Sequence, residues 1–368
     1  MGNKAIVILF LLASVNCSAV RKYWVGGGAT TNVDATGNTN WALSDGGANN
    51  ASVPINTDSM YFTANSLSTT NWNVNLTVAY VEITSGYTNG GWWSGNGNLS
   101  CVGNFLVGKS GLNLAINWTG YFVNAGGSGK SINVASGFTM YGWLISGSGS
   151  YSLINNNIVL LDYLKQTGGI LTTNPGSVLT SCKGIVSTGS NPRTLAFTAN
   201  AITVTGTDSA ILFSGSNLTL TNASNITLTS SVGAKFSGLG KIFGTVNFNN
   251  AANTGDFIIS GANTFTNITF ASTNAYNIVF PSSTTQTIVT LSVNGASCTS
   301  MPVLKSSSNG VTASISLTNS IPKTFLELKD INKTGAGSFS ISSGRNGGNN
   351  FGVYISNCSF KGLRLLNK

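Results

Sequence analysis

Short runs of alternating apolar and polar side chains recur along the chain, separated by Gly, Asn and Ser. The runs at residues 73–78, 217–221, 225–229 and 312–317 each place Val, Leu, Ile or Ala on one face and Asn, Thr or Ser on the other. A period of two predicts half-buried strands. No ten-residue window shows the 3.6-residue period of an amphipathic helix, so the chain is expected to be all-β.

These strand cores return at a steady interval. In the second half Leu220, Phe248, Phe270, Leu291 and Ile315 follow one another at steps of 28, 22, 21 and 24 along the chain. In the first half Trp72, Trp93, Trp118 and Trp143 follow at steps of 21, 25 and 25. Such a return length predicts one turn of a β-solenoid, here a right-handed parallel β-helix of roughly 20–28 residues per coil. The four indoles would then lie above one another, about 4.8 Å apart per coil. Stacked antiparallel sheets are the rival arrangement. All seven Trp lie at or before residue 143, which marks off an N-terminal region. The expected organisation is a signal peptide at 1–19, a Trp-containing cap and first strands at 20–80, coils at 81–335 and a C-terminal capping segment at 336–368. Solenoid ends expose strand edges that must be covered.

Composition agrees with this pattern. Only 7% of residues are charged, while Gly (45) and Asn (46), with Ser and Thr, fill about half of the chain. Parallel coils bring like residues into register, where a repeated charge would repel itself and neutral polar side chains form hydrogen-bonded ladders. A mean hydropathy of +0.18 excludes the disordered class. Histidine is absent, which excludes histidine-based catalysis and histidine metal ligation.

At the N-terminus Lys4 precedes an 11-residue apolar run, Ala5 to Val15, followed by the small residues Cys17, Ser18 and Ala19. This arrangement predicts an export signal, and the run is too short to span a bilayer. The mature chain is expected to be secreted, at an extracellular surface or in a virion, without a transmembrane segment. The remaining cysteines, Cys101, Cys182, Cys298 and Cys358, lie far apart along the chain, with spacings unlike any metal knuckle. They are expected to be free, buried thiols. Without Lys4 the net charge of +9 falls to +8, spread too thinly for a nucleic-acid patch.

Carboxylates are the remaining acid/base groups. Glycoside hydrolysis needs two of them facing across a cleft. Glu327 and Asp330 are three apart, so an extended strand points them to opposite faces. Asp162 can align only with residues of other coils. If the protein is an enzyme, Asp162, Glu327 and Asp330 are the catalytic candidates. No repeated Asp-containing nonapeptide suggests calcium, and no metal or cofactor is expected. Aromatic rings aligned along a solenoid would also stack on sugars, and Trp92, Trp93 and Trp143 are the carbohydrate-binding candidates. The alternative is a core ladder: parity places Trp72 and Trp118 on the apolar faces of their strands, and sets adjacent Trp92 and Trp93 on opposite faces.

The run Tyr23-Trp24-Val25-Gly26-Gly27, then Asn40-Trp41, Gly46-Gly47, Val53-Pro54 and residues 58–62, resembles the start of exported bacterial and bacteriophage-encoded β-helix proteins. Ala42 stands where those proteins more usually have Ser. Residues 261–270, 284–288, 291–295, 304–308 and 326–331 are similar to their repeating coils. The resemblance implies a right-handed parallel β-helix in a cell-surface, secreted or virion-associated protein, and carries no catalytic residues with it. The expected role is a non-enzymatic fibre, spike or adhesin contacting cell-surface polysaccharide, as a monomer or as a homo-oligomer (a trimer or an end-to-end assembly). The alternatives are a polysaccharide lyase or glycoside hydrolase on the same scaffold, and a self-assembling filament.

Overall fold

The computed structural model describes residues 19–358 apart from 29, 36–38, 67–68, 89–92, 125, 155–156, 182, 198–200, 208–209, 222–224 and 273. The expected signal segment therefore lies almost wholly outside the described residues, as do Trp92 and Cys182. The chain winds as a parallel β-solenoid of about 11 turns. A representative turn runs from Lys130–Val134 through Phe138–Met140 and Gly142–Ile145, then meets Lys130–Val134 again with Ser150–Ile154. Each of these three strands stacks on its counterpart in the next turn, which builds three sheets. The first has ten strands and ends at Leu218–Thr221. The second comprises a three-stranded stack (Thr70–Trp72, Trp93–Gly95, Asn117–Trp118) and a ten-stranded one running from Phe138–Met140 to Ile331–Thr334. The third is 15-stranded and starts at Leu76–Val78. Among the named strands, only Arg21–Trp24 and Trp41–Ala42 pair antiparallel, at the N-terminal end.

Alternation produces these sheets directly. Arg193–Phe197 and Ala313–Leu317 bury every second side chain inside the coil. Each large apolar side chain so buried contributes about 1.5–3 kcal/mol. On the third sheet Phe122, Trp143, Leu164 and Ile185 pair in succession at one uniform 21-residue step. Elsewhere the step widens to 26, as from Ile185 to Ile211 and from Ile278 to Leu304.

The varying step corrects the expected columns. Leu220 pairs with Leu195 on the first sheet, whereas Phe248 belongs to the second. Phe248 stacks on Phe270 and then Val293, while Leu291 pairs with Ile268 and Ile315 with Gln286. A drift of a few residues per turn is enough to move a distance-based choice to a neighbouring column or another face. The four indoles do not form one stack either. Trp72 and Trp118 both pair with Gly95, Trp93 pairs with Thr70, and Trp143 lies on the third sheet. Trp118 is buried as parity predicts, although Leu114–Ile116 is a 3-10 turn that exposes Ile116.

Cys298 and Cys358 also depart from expectation. They form a disulfide, with Cα atoms 5.8 Å apart, in place of two free thiols. Cys358 follows the final strand, Tyr354–Asn357, so the bond ties the end of the solenoid to the loop before Val303–Ser306, three strand pairings back. Cys101 is a buried free thiol whose pKa burial pushes up to about 12. Among the described residues no helix is long and apolar enough to cross a membrane.

Candidate functional site

On the outer face of the third sheet, Tyr121 pairs with Gly142 and Tyr163 with Gly184. The pairing of Trp143 with Leu164 sets Gly142 beside Tyr163, so tyrosine and glycine alternate down one outward column. A Cβ on Gly142 would lie 2.5 Å from the Tyr121 ring. The missing side chain is what lets that ring lie flat along the sheet. The residues just before this column, Tyr141, Asp162 and Lys183, follow one another at the same 21-residue step.

These two columns meet in one cluster. The Tyr121 hydroxyl donates to Asp162 Oδ2, and Lys183 Nζ lies 2.6 Å from Asp162 Oδ1. The Lys165 ammonium sits 4.3 Å from the Tyr121 ring centroid and 5.7 Å from that of Tyr163. Lys183 also lies 5.7 Å from the Tyr163 centroid. Tyr141 meets Tyr121 edge-on at 5.9 Å. Burial favours the neutral Asp162 carboxyl, but hydrogen bonds from Lys183 and Tyr121 outweigh it and hold the pKa below its ordinary value. Burial, together with the bond to Asp162, raises the Tyr121 phenol. The bond to Asp162 likewise raises Lys183.

This geometry makes a brace for aromatic rings: both Asp162 oxygens face donors, Tyr121 at Oδ2 and Lys183 at Oδ1. The other acids are far away. Glu327 pairs with Arg345 at 3.0 Å, and Asp330 Oδ1 accepts from Asn349 at 2.9 Å. Seven strand spacings on the third sheet separate Tyr163–Gln166 from Glu327–Lys329, about 34 Å at about 4.8 Å each. The structure thus does not bring the three catalytic candidates together. Among the described residues no three His, Cys, Asp or Glu side chains cluster as metal ligands.

At the far end of the same strands, where the chain turns onto the first sheet, a groove of about 450 Å³ crosses several turns and includes Gly147, Ile170, Pro192, Arg193, Thr194 and Asn217 in its lining. Arg193 is buried and braces this corner. It donates to Ser187 Oγ (3.0 Å), to the carbonyls of Asn191 (3.3 Å) and Ser214 (2.9 Å), and to that of Gly189. Gln166 accepts from Ser187 at 3.0 Å and donates to the Gly169 and Thr194 carbonyls at 2.9 and 3.0 Å. The four-residue strand Tyr163–Gln166 spans about 10 Å, so tyrosine cluster and groove border one strip of surface.

Trp93 and Trp143 cannot serve such a surface. Trp93 is 1% exposed and Trp143 0%, which corrects their assignment as sugar platforms. Trp93 packs between Trp72 and Trp118, with centroids at 4.7 and 5.3 Å, and Trp143 Nε1 donates to Asn124 Oδ1 at 2.5 Å. Partly exposed tyrosines take the outward positions instead. A second tyrosine stack stands on the first sheet, Tyr23–Tyr61 at 5.0 Å and Tyr61–Tyr80 at 5.8 Å. The signal that would have found the first cluster is the shared 21-residue step of Tyr121, Gly142, Tyr163 and Gly184.

No family model, curated protein or solved structure matches the chain. Its class is set by its architecture, a parallel β-solenoid.

Proposed function

We propose that this protein is a non-enzymatic, exported solenoid that presents the outer face of its third sheet to polysaccharide, in the manner of a surface fibre or adhesin. The observation that supports this most is the Tyr121–Tyr163 column, with Lys165 over both rings and Asp162 fixing one hydroxyl. Sugars present apolar C–H faces that stack on aromatic rings, and rings already immobilised lose little entropy on binding. The adjoining groove offers donors, acceptors and the half-exposed Ile170. Export is supported by the N-terminal pattern and by the Cys298–Cys358 disulfide, since such bonds persist in oxidising compartments.

Isothermal titration of the mature chain against a panel of soluble polysaccharides tests the proposal. Tyr163→Ala is expected to weaken the best binder by at least about tenfold, with the fold unchanged by circular dichroism. Binding untouched by Tyr163→Ala rejects the tyrosine face as the contact. Polysaccharide cleavage that disappears in Asp162→Asn replaces the proposal with an enzyme.

A further inference from the structure

Nearer the C-terminal end of the third sheet, one position departs from the charge pattern of the rest of the coil. Lys305 pairs directly with Lys329. Among the register pairs of the described strands, this is the one that sets two like charges side by side. Parallel neighbours stand about 4.8 Å apart, and like charges directly opposite each other destabilise a sheet.

No ion pair among the described residues relieves the repulsion. Those pairs are Lys183–Asp162 and Arg345–Glu327, and neither includes Lys305 or Lys329. Glu327 shares an outward face with Lys329 but is engaged by Arg345. Asp330, the next residue, is buried and accepts from Asn349. Both lysines line a cleft of about 300 Å³ with Val279, Ser306, Ser307, Asn309 and Asp330. Ser307 Oγ accepts from the Ser282 amide at 2.9 Å, which leaves its own hydrogen to donate. Two ammonium groups, a hydroxyl and the Asn309 amide thus supply donors around a space of molecular size.

We propose that this cleft binds a singly charged oxyanion of an acidic polysaccharide, a sulfate ester or a uronate carboxylate. An oxyanion between the ammonium groups accepts from both and cancels their repulsion. Asp330 at the cleft opposes the two lysines, so a single anionic group is enough to balance the remaining charge of about +1. Only the polymeric nature of the ligand rests on the polysaccharide reading above. Lys305 continues an outward column through Val279, Ile258 and Lys235 along the sheet that carries the tyrosine cluster. A polymer lying along the rod would touch both sites.

The test is titration of the mature chain with dextran sulfate, polygalacturonate, neutral dextran and inorganic phosphate. The double variant Lys305→Gln/Lys329→Gln is compared with Lys109→Gln/Lys241→Gln, which removes the same charge elsewhere. Affinity for one acidic polymer is expected to fall at least about tenfold in the first pair and less than about twofold in the second. Without ligand, the first pair is expected to raise Tm, because the repulsion is gone. Saturating acidic polymer is expected to raise the Tm of the wild type and not of that variant. Equal losses in both pairs mean general charge attraction and overturn the proposal. So does tighter binding of phosphate than of either acidic polymer, or no binding of either polymer. Loss of acidic binding in Lys305→Gln/Lys329→Gln, with Tyr163→Ala silent on every polymer, keeps this site and rejects the tyrosine reading alone.

Discussion

The early and late turns of this solenoid fill the same kind of interior in different ways. Before residue 222 each turn is assembled from short strands on three sheets, and the widest side chains inside are indoles. Trp72 and Trp118 both face Gly95, so a bulky ring is followed by no side chain at all, and Trp93 fills the space from the adjacent position. Beyond residue 241 the first sheet has ended and the second-sheet strands lengthen to Ile242–Phe248, Thr264–Phe270 and Thr285–Val293. There Phe repeats in consecutive turns: Phe248 stacks on Phe270 at 4.7 Å with an 11° tilt, and Phe243 on Phe265 at 5.6 Å with 22°. A flat phenyl ring stacked on its like fits the rung spacing of about 4.8 Å. An indole is no thicker but is wider, and Trp72, Trp93 and Trp118 pack tilted against one another at 41–71° instead of stacking flat.

The sharpest way to separate the two designs is to empty each one. Trp118→Ala is expected to cost about 3–5 kcal/mol, and Phe265→Ala a similar amount. Hydrogen exchange should show the first loosening the turns around 70–118 while 264–334 keep their protection, and the second doing the converse, because each turn contacts chiefly its neighbours. Identical exchange patterns would break the comparison. Next, Cys298→Ser is expected to remove about 2–4 kcal/mol, with loss confined to the last turns in a proteolysis time course. Gly95→Ala adds a Cβ 2.5 Å from the Trp72 carbonyl oxygen at a φ of +88°. It is expected to cost about 2–3 kcal/mol by urea denaturation.

The smallest effect concerns Asp162, whose replacement by Asn should cost about 1–2 kcal/mol at pH 7. Its folded pKa lies below the unfolded value, so its stabilisation is fully present above about pH 4 and disappears as pH falls through the lowered value. The difference in stability between wild type and Asp162→Asn should therefore shrink on acidification. A constant difference would show that the ion pair and the Tyr121 bond contribute nothing.

Alternation and the recurring return length were enough to predict a coil of stacked parallel strands, because both are local consequences of the pleat. Register was not legible: Leu220 and Phe248 look like one column by distance, yet corners of different length place them on different sheets. The Cys298–Cys358 bond was hidden for a related reason, since two cysteines so far apart along the chain cannot be matched until the last turns are wound. Trp93 and Trp143 drew attention by size, which in a narrow interior is a reason to be buried. The functional candidates Tyr121 and Tyr163 lie in a 21-residue step shared with Gly142 and Gly184, but a glycine that makes room for a ring, as Gly142 does for Tyr121, looks in sequence like a glycine at a turn.

That uniform step through Phe122, Trp143, Leu164 and Ile185 makes this stretch modular. Excising or duplicating one such unit there would join surfaces that already match, and would change the molecule's reach by a single increment of about 4.8 Å. Length is thus a quantity that ancestral copying events, or a protein engineer, can adjust by whole numbers.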